Sequence, residues 1–180
     1  MRMTATAVSA DCLYRQMLTT PLGPMLAVTN RDELLLLEFD TRKDLDGQLE
    51  TLRQIDSRPI VEQSNSILRL AQQELDAYFS GALTRFSVPL KIKGSPFRES
   101  VWRELTRIDY GETVSYQELG RRIGCPQAAR AIGSANGHNR IAIMIPCHRV
   151  IRADGSRGGY AGGTERKQKL LEHESRIASR

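Results

Sequence analysis

The chain is poor in the features that mark membrane, secreted and metal-binding proteins. Across its 180 residues no apolar run approaches the roughly 18 residues of a membrane span. The N-terminus, with Arg2 followed by small polar residues, has no apolar signal-peptide core. A cytoplasmic location is therefore expected, with no membrane partner. Cysteine is scarce: Cys12, Cys125 and Cys147 are odd in number and follow no framework spacing, which argues against disulfides. The three histidines, His138, His148 and His173, form no pair at ligand spacing, and no Cys-x-x-Cys is present, so no metal site is expected.

What is present is a hydrophobic content of 40% and a length sufficient to bury a core, in one large domain or two small ones. Charge is distributed unevenly. Residues 1–90 hold nine Lys/Arg against twelve Asp/Glu, a net of −3, whereas residues 91–180 hold seventeen against nine, a net of +8. The basic half carries Cys147. One-sided positive charge suits a polyanion, nucleic acid first, although a solvated basic face would give the same count.

The first half reads as a three-stranded meander: Leu13–Leu18, Met25–Val28 and Leu34–Phe39, with turns at Thr20–Gly23 and Asn30–Asp32. A short helix around Leu45–Leu52 and a longer one from Val61 to Phe79 follow, the latter with Ile67, Ala71, Leu75 and Tyr78 on one face and Gly81 as its stop. This half offers no constellation of reactive side chains and is assigned a structural role. Lys91–Pro96 reads as the linker. Beyond it a helix runs from Phe97 to Asp109, and Ser115-Tyr-Gln-Glu118 forms a capping box that opens a helix from Tyr116 to Ile123. Gly124-Cys-Pro126 separates that helix from another over Gln127 to Asn136, a helix-turn-helix pattern. Ala128, Ile132 and Ala135 make the inner stripe of the second helix. Ala129, Arg130, Gly133 and Ser134 look outward, a face slender enough for close approach to a minor groove about 6 Å wide. Packing against the protein itself would ask for the same small residues.

The run Ile141–Val150 looks buried and delivers Cys147 with His148 and Arg149 beside it. Thiolate is the nucleophile, and a thiol needs a base or a positive charge nearby to ionise at neutral pH. A lone cysteine is equally suited to being a small core hydrophobe. Thr164 can cap a last helix whose apolar face, Leu170, Leu171 and Ile177, also carries Glu174 and Lys167. A carboxylate on a core-facing stripe calls for a partner. Cysteine, histidine and carboxylate together are the parts of an activated nucleophile, with His148 expected to reach Cys147 through a water and Glu174 on the other ring nitrogen. A cysteine hydrolase and a helix-turn-helix regulator with a non-catalytic cysteine are the alternatives.

The string Ile145-Pro-Cys-His-Arg-Val-Ile151, preceded by Asn139 and followed by Gly159-Tyr-Ala-Gly-Gly163, resembles the active-site signature of the O6-alkylguanine-DNA alkyltransferases, closely over about residues 95–175 and loosely before. The resemblance implies an α/β protein of two small domains: residues 1–91, an antiparallel sheet with helices, and residues 92–180, mostly helical, with the helix-turn-helix for DNA binding and alkyl transfer. It implies single-turnover transfer of an alkyl group from O6-alkylguanine to Cys147, with O4-alkylthymine a second candidate substrate and no cofactor. By similarity the reacting set is Cys147, His148, Glu174, Tyr116, Asn139 and Lys167, with Asn139 bracing the turn before an active-site strand that carries the cysteine. Arg130 matches the family's intercalating arginine, with Tyr116, Ser115, Gln117, Ala129 and Gly133 facing DNA. Val150, Tyr160, Ala161 and Gly162 are to line the base pocket. The implied partner is double-stranded DNA containing O6-alkylguanine, met by a monomer able to associate along DNA. Three departures stand out: Arg140 follows Asn139 where many members have proline, adding an expected exposed charge; Ala161 replaces a side chain that in some relatives bonds the base; and Ala142 replaces a proline of some relatives, which leaves the range of bulky adducts open.

Overall fold

The computed structural model describes residues 11–179; the reading of Arg2 and its neighbours lies outside them. Strands β1 (Leu13–Leu18), β2 (Met25–Thr29) and β3 (Leu34–Phe39) form the expected antiparallel meander. Asn30 shapes the second turn by accepting from the N–H groups of Asp32 and Glu33. Alternate residues of β2 face opposite sides. Leu26 and Val28 pack with Leu49 and Leu52 of α1 (Leu45–Ile55), whereas Met25 and Ala27 join Leu68, Ala71, Leu75 and Tyr78 of α2 (Ser66–Ser80). Helices on both faces explain why β2 and β3 are buried throughout.

Val61 does not begin α2. It lies in a short strand, β4 (Ile60–Glu62), paired parallel to β1, which gives the sheet order β3-β2-β1-β4. The helix starts later because Asn65 caps it, its side chain accepting from Leu68 N–H at 2.9 Å.

In the second half α3 (Pro96–Leu105) is capped by Ser95, with proline in its first turn, and stops short of the expected Asp109. The two-residue strands β5 (Val114–Ser115) and β6 (Val150–Ile151) pair in parallel, bringing the start of α4 (Tyr116–Arg122) beside the segment after Cys147. Ser115 caps α4 as predicted, but the Glu118 carboxylate turns to Arg121 and Arg122. Helix α5 spans Ala129–Gly137, later than expected, and α6 spans Thr164–Ala178. The cap of α6 is Gly163, so Thr164 is its first helical residue and makes no side-chain cap.

The two halves are stitched along the free edge of β3. Leu34 exchanges backbone bonds with Pro89 and Lys91, and Leu37 does so with Arg140 and Ala142, all at 2.8 Å. One hydrophobic cluster runs from Leu18, Leu37 and Phe39 through Val101, Trp102 and Ile132 to Ile145 and Leu170. An isolated parallel bridge at Leu90 thus leads into the linker, and the cysteine segment is anchored to the N-terminal sheet.

Gly111 sits at φ 79°, where an added Cβ would lie 2.6 Å from the Ala178 Cβ. Gly155, at φ 80°, has nothing near. Gly111→Ala is expected to lower stability by about 2 kcal/mol or more, through strain and the collision together, and Gly155→Ala by less, through strain alone. Thermal melting of the two variants checks this ranking.

Candidate active site

The chain around Cys147 is turn rather than strand. Past Ile141, which bridges to Leu37 of β3, the backbone folds back, with Ile145 N–H on the Ile141 carbonyl and Cys147 N–H on the Ile145 carbonyl, and Cys147–Arg149 form a single 3₁₀ turn. Ile143 stands at φ 70°, a conformation that a β-branched residue adopts only when its surroundings hold it there. Asn139 supplies much of that hold. Its Oδ1 accepts from Ile141 N–H at 3.0 Å, and its Nδ2 donates to the Ile145 carbonyl at 2.9 Å and to Cys147 Sγ at 3.2 Å. The expected brace therefore reaches the sulfur itself.

Behind the cysteine lies Glu174 of α6, 1% exposed. Its carboxylate accepts from His148 Nε2 at 2.8 Å, Arg149 Nε at 2.8 Å and Nη2 at 3.0 Å, Tyr78 Oη at 2.7 Å and Gly111 N–H at 3.2 Å. Burial alone would raise this carboxyl, but the bonds and charges of His148 and Arg149 prevail and hold it well below the usual range. The buried-carboxylate argument is met with more partners than it required. Arg149 had been read as a positive neighbour for the sulfur. Its guanidinium instead binds Glu174 and the Ile108 carbonyl, with its charge compensated there.

Cys147 is 6% exposed, and burial pushes its thiol up to about 11, against the opposing bond from Asn139. Burial likewise lowers His148, opposed by Glu174. The resting pair is a neutral thiol and a neutral imidazole. With Nε2 donating to Glu174, the remaining ring nitrogen, Nδ1, has no protein partner and is the available proton acceptor. Lys167, fully buried, donates to the carbonyls of Val150 at 2.6 Å and Gly159 at 3.3 Å, and burial brings it down to about 8. The Lys167 charge favours a thiolate nearby.

The sulfur is nevertheless reachable. A cavity of about 330 Å³ is lined by Cys147, Tyr116, Gly133, Asn136, Tyr160 and Ala161, among others. An adjoining groove of about 430 Å³ shares Tyr116, Gly133 and Gly159 and adds Gln117, Ala129, Arg130 and Arg152. The slender outward face of α5 therefore looks into open space, and Arg130 is exposed beside it. Inside, Trp102 Nε1 donates to the Ala135 carbonyl at 2.9 Å and fixes the helix to α3. Burial and the neighbouring Cys147 raise Tyr116, which keeps its phenol protonated at neutral pH.

Most of the residues singled out from sequence converge here. Val150 and Gly162 do not line the cavity: Val150 is buried in the β5–β6 pair, and Gly162 is buried against Phe39. Ser115 acts as the α4 cap, outside the groove lining. Arg140 is buried rather than exposed: it donates to the Lys93 carbonyl at 2.5 Å and stacks on Trp102. Sequence reading passed over Tyr78, Asn136, Glu38 and Arg42. For Glu38, charge within the otherwise apolar β3 was the available signal. Among the described residues no group of three or more His, Cys, Asp or Glu is placed to hold a metal, and no helix is long and apolar enough to cross a membrane.

Fold and site together define a two-part protein in which a helix pair of DNA-binding type fronts a buried cysteine, histidine and glutamate. Residues 13–92 match the family profile described as 6-O-methylguanine DNA methyltransferase, ribonuclease-like domain, and residues 96–176 match that of its DNA binding domain. The chain belongs to the methylated-DNA–protein-cysteine methyltransferase family. It is 40% identical over 162 residues to the Methanosarcina barkeri protein of that name, covering 90% of this chain and 97% of that protein. It is 57% identical over 106 residues to the Mycolicibacterium paratuberculosis protein of that name, covering 59% of this chain and 64% of that protein's length. The crystal structure of Mycobacterium tuberculosis OGT in complex with DNA superposes with a TM-score of 0.79 at 38% identity, covering 91% of this chain and 94% of that one.

Because Glu174 is held below its ordinary 4.5, its contribution is present above that pH and lost as pH falls beneath it. Glu174→Gln is expected to cost about 3–5 kcal/mol at neutral pH, since Arg149 loses its buried partner. It should also flatten the acid limb of stability, as followed by urea unfolding at pH 3–7.

Proposed function

We propose that this protein repairs O6-alkylguanine in double-stranded DNA by transferring the alkyl group irreversibly to Cys147, once per molecule and without a cofactor. The observation that carries the reading is the cavity in which the sulfur meets Tyr116 and Tyr160 beneath the small-residue face of α5. The names of the relatives and the DNA complex of the mycobacterial neighbour support it.

In this reading the target base leaves the stack, at a cost of a few kcal/mol, and enters the cavity while Arg130 fills the gap. The thiol proton passes through one water to Nδ1 of His148, and Glu174 supports the imidazolium so formed. Sulfur bonds to the alkyl carbon as the bond from that carbon to guanine O6 breaks. Tyr116 gives its phenolic proton to the departing guanine and regains one from solvent, to which the His148 imidazolium releases its own. The thioether left behind is not hydrolysed. Asn139 and Lys167 hold the cysteine turn and the loop facing it. Gln117, Ala129 and Gly133 form the close-approach surface, Ser115 fixes the start of α4, and Tyr160 and Ala161 wall the base pocket. A division at residues 91 and 92, a cytoplasmic location, and a monomer able to associate along DNA belong to the same reading. A sequence-reading regulator is disfavoured because the outward face of α5 carries few bulky polar side chains.

Intact mass tests the reaction. Mixing with duplex containing O6-methylguanine is expected to add about 14 Da, one methylene by composition, as a covalent adduct that Cys147→Ala abolishes. An unchanged mass ends the proposal.

Arg130→Ala separates flipping from chemistry. It is expected to slow repair of duplex about tenfold or more while leaving reaction with free O6-benzylguanine nearly unchanged, because the free base needs no extrusion. Equal losses on both substrates would remove Arg130 from that role.

A further inference from the structure

The N-terminal half, assigned to structure alone on sequence, sends two buried ionisable side chains to the site. Glu38 in β3 is 2% exposed and Arg42, just past that strand, 7%. The guanidinium pairs with Glu38 Oε1 at 2.9 Å, then donates to the carbonyl oxygens of Asn139 at 3.0 Å and Gly137 at 2.6 Å. Gly137 ends α5, where carbonyls lack partners within the helix and a positive charge is favoured. Asn139 carries the amide that holds Cys147 Sγ. A single side chain from one half thus ties the helix whose outward face borders the cavity to the turn that aims the sulfur.

We infer that Glu38 and Arg42 are positioning residues for alkyl transfer: Arg42 locks the end of α5 to the asparagine turn, and Glu38 locks Arg42. The inference rests on the alkyl-transfer reading for its substrate, though not for its geometry. The pair is also close enough to act on the sulfur electrostatically, since Glu38 raises the Cys147 thiol and Arg42 lowers it. Asn139 and Lys167 face the same sulfur, Tyr116 and Tyr160 share its cavity, and Arg42 and Arg166 face Glu38.

The test compares Arg42→Met, Glu38→Gln and the double variant Glu38→Met/Arg42→Met by melting temperature and by single-turnover transfer from an O6-methylguanine duplex. Replacing a buried pair by apolar groups of similar size is often neutral for stability. The double variant should therefore melt near the wild type while transferring about tenfold more slowly or worse, because the Gly137 carbonyl of α5 and the Asn139 carbonyl of the turn lose their common donor. A double variant with wild-type melting and wild-type rate overturns the inference. Should the double variant not fold, Glu38→Gln decides: it keeps an oxygen for Arg42 and should lose several-fold less rate than Arg42→Met, so equal losses overturn it. A third readout is independent of DNA. The pH profile of Cys147 alkylation by iodoacetamide should move to lower pH in Glu38→Gln and to higher pH in Arg42→Met. If the wild type gains no mass from the duplex, the alkyl-transfer reading falls, and this profile still judges the pair; unmoved profiles in both variants overturn the inference.

Discussion

The site depends on a single carboxylate. Glu174 is sealed from water and gathers donors from α2, from the loop before β5 and from the cysteine turn. A lone ion there would carry a desolvation penalty of several kcal/mol, which only an almost complete set of hydrogen bonds can offset. That requirement explains the surroundings. Tyr78 crosses from the N-terminal half, Gly111 offers a bare N–H, and Arg149 is drawn away from the sulfur beside it in sequence. With its charge so compensated, the carboxylate fixes which nitrogen of His148 carries a proton, and leaves the other nitrogen without a partner.

The same burial sets the resting state of the nucleophile. A thiol pushed up to about 11 is almost wholly protonated at neutral pH, so sulfur is quiet until a substrate fills the cavity and the proton has somewhere to go. In the proposed single-turnover reaction a quiet sulfur is an advantage, because adventitious electrophiles would otherwise consume it. Lys167 and Asn139 supply the bias toward thiolate without adding a mobile acid. In this design reactivity comes from arrangement around the sulfur and not from a permanently ionised cysteine.

Much of this was legible in the chain, and the failures have physical causes. Strand limits in the meander, the α4 cap and the partnered glutamate followed from turn chemistry, capping and the aversion of charge to apolar faces. The segment Ile141–Ile145 misled because a continuous apolar run marks burial but not conformation, and Asn139 turns it with bonds no periodicity reveals. Val61 was drawn into α2 because apolar spacing cannot separate a short parallel strand from the first turn of a helix. Arg140 was taken as exposed because composition gives no hint that Trp102 and the Lys93 carbonyl await it. The roles of Tyr78 and Arg42 are tertiary: each lies about a hundred residues from its partners, beyond any local pattern, and Glu38 joins the site only through Arg42, four residues on.

Those long-range contacts change how the two halves should be regarded. Had the N-terminal sheet been a separate module, its edge strand β3 would present unpaired backbone groups and require protection. Instead that edge accepts the residues on either side of Ile141, so the cysteine turn completes the sheet. The α6 side adds a second tie, as Arg166 stacks on Phe39 and donates to the carbonyls of Leu22 and Gly162. Both walls of the cavity, the α5 end and the 159–161 loop, are therefore referenced to one sheet. In the proposed reaction a base entering between them would meet surfaces whose separation is fixed from behind. For the proposed attack of sulfur on a saturated carbon in line, such fixed separation matters more than any single charge.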